Sequence, residues 1–150
     1  MTDPIQQQLI DTIDTRFKTI LTTNGYATSI GLHVTWWKES PLAVSDLPGM
    51  NLRDSEETRI PGCGIYERSL NIRIEASVSG SDSPKTARLI EADIEKAIFV
   101  DNRWGGLASN TEISASGKEA AQKQNKISKV TLSMEILYMT KRGDPYTRGF

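Results

Sequence analysis

The chain has 150 residues, 18 basic against 19 acidic, 37% hydrophobic side chains and one cysteine, Cys63. That length supports one domain able to bury about 70% of the surface its unfolded form would expose. Balanced charge without a run of one sign excludes the footprint of a general nucleic-acid or acidic-membrane binder, and a lone cysteine excludes an internal disulfide and makes a reducing cytoplasm the default compartment.

The first ten residues, MTDPIQQQLI, lack the basic and apolar regions of an export signal. No window approaches the roughly 18 consecutive apolar residues of a membrane span, so neither export nor embedding is expected. From Ile5 the residues Leu9, Ile10, Ile13, Phe17, Ile20 and Leu21 form one helical stripe, with Thr2 or Asp3 as N-cap, Pro4 in the first turn and Asn24-Gly25 as the stop. A weak strand is expected at Leu32 to Lys38. It contains Trp36-Trp37, whose side chains would face opposite sides of a sheet, so one of the two needs cover from a loop, a helix or another subunit. Without a basic surround, an aromatic platform for nucleic acid is the weaker reading of that pair.

Residues 40 to 64 hold three prolines and few core-forming side chains; they are expected to project as a loop, with a weak strand at Met50 to Arg53. From Tyr66 to Ser79, Leu70, Ile72, Ile74, Ala76 and Val78 alternate with polar residues, which predicts a strand with one buried face, about 45 Å long if unbroken. A second helix follows: Ser83 as N-cap, Pro84 after it, and Ala87, Ile90, Ile94, Ala97 and Ile98 at helical spacing. It leads into VDNRWGGLAS. A phosphate cradle places its glycines before a helix, whereas Gly105-Gly106 follow one, so the stretch reads as a helix exit. Asp101 and Asn102 end the turn, the glycines take positive φ, and Trp104 folds back over the helix end. Past a weak strand at Glu112 to Ala115, residues 114 to 128 are polar and read as the tip of a hairpin arm. Val130, Leu132, Met134 and Ile136 then alternate in a second strong strand, followed by a C-terminal tail from 141 to 150. The order predicts a single α+β domain over 1–150, with a largely antiparallel, mixed sheet and two helices packed on one face.

Chemistry is narrowed by elimination. One histidine and one cysteine about thirty residues apart give no zinc site, His33 in GLHVTWW is the one histidine base available to a Ser or Cys nucleophile but alone on a strand reads as a packed or surface residue, and Cys63 in PGCG has no activator. Asp93 with Glu91 or Glu95, and Glu56-Glu57, could act as acid and base or hold a hard cation, but such charges usually meet solvent. No catalytic, cofactor or metal residue is expected.

The helix DIEKAI with its acidic turn and a GGL run into a strand at Asp101 to Leu107, and a last strand ending in Tyr138, Thr140, Asp144 and Pro145, recur in that order in one family. With the opening helix and the polar loop, they make the chain resemble the tail terminator (tail completion) proteins of long-tailed bacteriophages along nearly its whole length. The resemblance implies a virion structural protein rather than an enzyme, a ring subunit without a cofactor. Its homohexamer would cap the tail tube, end polymerisation and dock the neck or head connector. Implied partners are copies of itself, the tail tube protein, the neck protein and, as a further contact, the tail sheath; no specific nucleic acid and no membrane are implied. The expected place is the head-proximal end of the tail, with the host cytoplasm during assembly. Two alternatives stay open: a head-completion or neck adaptor, and a non-phage ligand-binding or carboxylate-based enzyme domain. Candidate contact residues are Trp36 and Trp37, Arg103 and Trp104 at the glycine turn, Lys118, Lys123 and Lys126 on the hairpin arm, and Tyr146, Arg148 and Phe150 in the tail.

Overall fold

In the computed structural model, which describes residues 3–40, 42–122 and 126–149, the elements run α1 (Ile5–Phe17), β1 (Val34–Trp36), β2 (Gly49–Pro61), β3 (Ile65–Ser79), α2 (Ser83–Phe99), β4 (Asn110–Gln122), β5 (Ile127–Lys141) and β6 (Asp144–Arg148). They form one sheet in the order β1-β2-β3-β5-β4. β1 is parallel to β2 and every other pairing is antiparallel. β6 pairs with the last residues of β5, past the point where β4 leaves that edge.

The two period-two runs are the centre of the sheet. Pairing Leu70 with Ile136 and Ile74 with Leu132 puts the even-numbered residues of β3 and β5 on one face. Ile5, Leu9, Ile13 and Phe17 of α1, and Ala87, Ile90, Ile94, Ala97 and Ile98 of α2, close over that face in one core. Each of the fully buried Leu, Ile and Phe side chains among them contributes about 1.5–3 kcal/mol. The fold is α+β, with a mixed, mostly antiparallel sheet and both helices on the same side, as the patterning predicts.

Helix ends differ in detail. α1 stops at Phe17, short of the predicted stripe through Leu21, because Gly31 packs against the carbonyls of Phe17, Lys18 and Ile20; a Cβ there would lie 2.5 Å from the Phe17 oxygen. Asp3 makes no side-chain cap and Pro4 takes the cap position, while the alternative cap, Thr2, lies outside the described residues. Asp82 replaces Ser83 as the residue before α2.

The expected loop at 40–64 requires correction. Gly49–Pro61 is a strand paired with β3. Its run DSEET reads as loop because the outer half is polar on both faces, exposed on one and turned onto a polar cluster at Glu57 on the other, so no apolar alternation marks it; the ladder to β3 supplies its backbone hydrogen bonds instead. Within it Asp54 opposes Ile72 and Glu57 opposes Leu70, so that Ser55 and Glu56 stand against Asn71, two residues against one. This bulge inverts the phase, so Met50 and Leu52 face the helices before it and Glu57 does so after it.

The polar stretch 114–128 is likewise strand up to Gln122, paired with β5 rather than loose. The tail is no free arm either: Asp144–Arg148 pairs with β5, the Gly149 N–H donates to the Met139 carbonyl, and Asp144 caps its own turn through the Tyr146 amide and the Thr147 hydroxyl.

Candidate assembly surface

The sheet ends on two unlike edges. β4 has no strand partner on its outer side among the described residues, and β1 covers β2 only from Met50 to Leu52, which leaves Arg53 to Pro61 with an open outer edge. Rows of unpaired N–H and C=O groups invite another strand. Pro61 and the irregularities in β4 between Ile113 and Ala115 and between Ala120 and Gln122 limit which strand can pair there. On the face turned away from the helices, Ile60 (59% exposed), Leu137 (41% exposed) and half-buried Met139 border a depression of about 230 Å³ floored by Thr58 and Ser69.

Behind that depression, on the helix side, lies a buried polar cluster. The bulge carries Glu57 onto Arg68 (Nη1 to Oε2, 3.3 Å), and Glu57 also accepts a short hydrogen bond from the Tyr138 hydroxyl. Arg68 Nε donates to the Thr140 hydroxyl at 2.9 Å, and Arg59 reaches Glu57 at 3.2 Å. Burial first, then the hydrogen bond and charge of Glu57, push the Tyr138 phenol above its ordinary ionisation range. The cluster locks the outer halves of β2, β3 and β5 together, and every member is paired.

The VDNRWGGLAS stretch is the expected helix exit. Asp101 accepts from the backbone N–H of Gly105 (2.8 Å) and Arg103 (3.0 Å), which hold its carboxyl below the usual range. Gly105 and Gly106 have φ of 71° and 87°, and Trp104 shares the left-handed conformation at 53°. Trp104 is fully buried, its indole N–H donating to Thr111, its ring edge-on to Phe17 and under the Arg16 guanidinium at 4.0 Å. As a contact residue Trp104 is therefore corrected: it is core. Arg16 was not visible in the sequence as anything but a solvated helix charge. It donates to the carbonyls of Asp101 (2.6 Å), Ile98 (3.2 Å) and Ala97 (3.5 Å), and so ties α1 to the C-terminus of α2.

The other expected contact residues scatter. Trp36 is half-buried against the core with its indole N–H on Asp14. Trp37 leaves the strand at φ 55°, stays 55% exposed, and bonds Asp54. Arg103 and Tyr146 are exposed. Lys118 is corrected as a free arm charge, since it is ion-paired to Glu91 of α2. Lys126 sits exposed in the β4–β5 turn, its carbonyl accepting from Gly80. Arg148 donates to the Gly106 carbonyl at 3.0 Å, tying the tail to the glycine turn. Lys123 and Phe150 lie outside the described residues.

Of the carboxylates weighed as acid and base, Asp93 is buried and taken up by the N–H groups of Ala27 and Thr28 and the Thr28 hydroxyl, pinning the loop after α1. Glu57 belongs to the polar cluster. His33 Nδ1 lies 3.4 Å from the Pro48 carbonyl, and Cys63 is exposed in the β2–β3 turn. Among the described residues no three His, Cys, Asp or Glu side chains gather as a metal site, and no helix is long and apolar enough to cross a membrane. Ile60, Leu137, Met139 and Arg68 went unnoticed in the sequence; the only signal was the mixed polarity of the strand ends that carry them.

Compared with models of known protein families and with curated proteins, the chain matches none.

Proposed function

We propose that this chain is a ring-forming assembly subunit of the tail-terminator type. Six copies join head to tail, cap the tube of a phage tail, and offer the opposite face of the ring to the neck or head connector. The observation that carries this reading is the pair of unlike open edges, β2 beyond Leu52 and β4, at opposite sides of one sheet. A contact between unlike surfaces repeats in one direction and closes when its rotation allows, which is how cyclic rings are built. The apolar depression at Ile60, Leu137 and Met139 lies beside the β2 edge and supplies area that edge pairing alone lacks. The ordered motifs around DIEKAI, GGL and the Tyr138–Pro145 segment support the choice of family.

Native mass spectrometry and electron microscopy of the purified protein, alone and with a phage tail tube protein, test the reading. Six-membered rings seated on tube ends are expected. Free protein can remain monomeric where the tube is needed to raise local concentration. Five- or twelve-membered rings would replace the terminator reading with a neck or head adaptor. Persistent monomers in the presence of tube protein would overturn it.

A further inference from the structure

On the face of the sheet away from the helices, residues 38–40 and 42–47 lie over the first half of β2 and enclose a pocket of about 320 Å³. Its floor is Asn51, Arg53, Glu75, Ser77 and Lys129, all on the helix-free side by strand register. The wall is built rather than draped. Asn51 is buried and grips Lys38 at both ends, its carbonyl oxygen accepting the Lys38 N–H at 3.0 Å and its amide donating to the Lys38 carbonyl at 2.9 Å.

Arg53 is the unusual member. One of its terminal nitrogens donates to the Lys38 carbonyl at 3.0 Å, but its Nε is buried and has no partner, alone among the buried side-chain nitrogens and oxygens of the described residues. A buried donor left unmade is costly, and native proteins leave few. Nor does Arg53 have a carboxylate within ion-pair distance among the described residues. It stands across the ladder from Arg73, and the acid of the pocket floor, Glu75, is already shared between Arg73 (3.0 Å) and Lys129 (3.2 Å). The pocket thus presents a guanidinium with no carboxylate partner among the described residues, its centre 5.9 Å from the Trp37 ring centroid, with Lys38 and Lys129 beside it and Leu42, Leu47 and Ile127 as apolar walls.

We propose that this pocket binds a carboxylate, held by Arg53 with its methylene stem against Leu42, Leu47 and Ile127. A single negative charge fits better than a phosphate dianion, because Glu75 and Glu39 also line the site and repel a second charge. The carboxylate is that of a small free acid or of an acidic side chain on another protein. The inference does not depend on the ring.

The test is a titration of the full chain with butyrate, followed by backbone amide shifts and thermal midpoint, beside butyramide, inorganic phosphate and a capped Gly-Glu-Gly peptide. Saturable butyrate shifts centred on Asn51, Arg53, Glu75 and Lys129, absent with butyramide, are expected, with Arg53→Gln weakening binding about tenfold or more. Arg53→Lys keeps the charge but loses the fork and should bind weakly. Tighter binding of the peptide assigns the site to a protein partner, and tighter butyrate assigns it to a free acid. Phosphate binding as tightly as butyrate, wild-type affinity in Arg53→Gln, or no shift at these residues would each overturn the proposal. If Arg53→Gln fails to fold, Lys129→Gln and Lys38→Gln carry the same comparison, and unchanged affinity in both overturns it as well.

Discussion

At the residue scale two side chains do work that their sequence neighbourhoods conceal. Arg16 satisfies carbonyls at the end of a helix eighty residues away and covers Trp104. Removing it strands those carbonyls, so Arg16→Ala should lower the unfolding free energy by about 2–3 kcal/mol, with Arg16→Lys recovering only part, measured by urea denaturation. Tyr138 has a raised pKa, so the folded chain keeps a proton that the unfolded chain gives up near pH 10. Its contribution is therefore full below about pH 10 and is lost as pH rises further. Tyr138→Phe should flatten that alkaline decline, and the native protein should show one tyrosine that fails to ionise in the phenolate absorbance until it unfolds. Asp101 has the opposite sign: its depressed carboxyl stabilises the fold above its unfolded pKa and loses that effect as pH falls.

At the element scale the sequence is readable wherever an element has one wet and one dry face. The stripes of α1 and α2 and the alternation in β3 and β5 mark them, because burial imposes the period. β2 beyond Leu52, β4 and β6 carry no such period. Their ladders hold them, and ladders are blind to side-chain type, so polar runs such as DSEET pass for loop. β6 gives the sharpest reversal. The tail looks expendable, yet the Arg148 bond to Gly106, the Asp144 turn and the pairing with β5 close it onto the sheet. Truncation after Lys141 should lower the thermal midpoint measurably in calorimetry, and an unchanged midpoint would show that β6 is dispensable.

At the scale of the whole molecule, the helix-free sheet face and the two edges left open among the described residues are features of topology, and no residue type announces them. What could be read beforehand was the ordered set of motifs; the apolar depression could not, because Ile60 and Leu137 sit among polar neighbours in sequence and meet only across paired strands. If that depression serves assembly, Leu137→Glu should abolish rings while shifting monomer stability by no more than about 0.5 kcal/mol, read by native mass spectrometry and denaturation on one sample. The bulge at Asp54 and Glu57 sets a rule for how this hairpin can change length. Deleting one residue at Ser55 or Glu56 would remove the bulge and leave Glu57 two residues after Asp54, still opposite Leu70 and facing Arg68, whereas deleting both would transpose everything from Glu57 to Pro61 to the other side, setting Arg68 adrift and turning Ile60 inward. Viable deletions at this bulge should therefore remove one residue and not two.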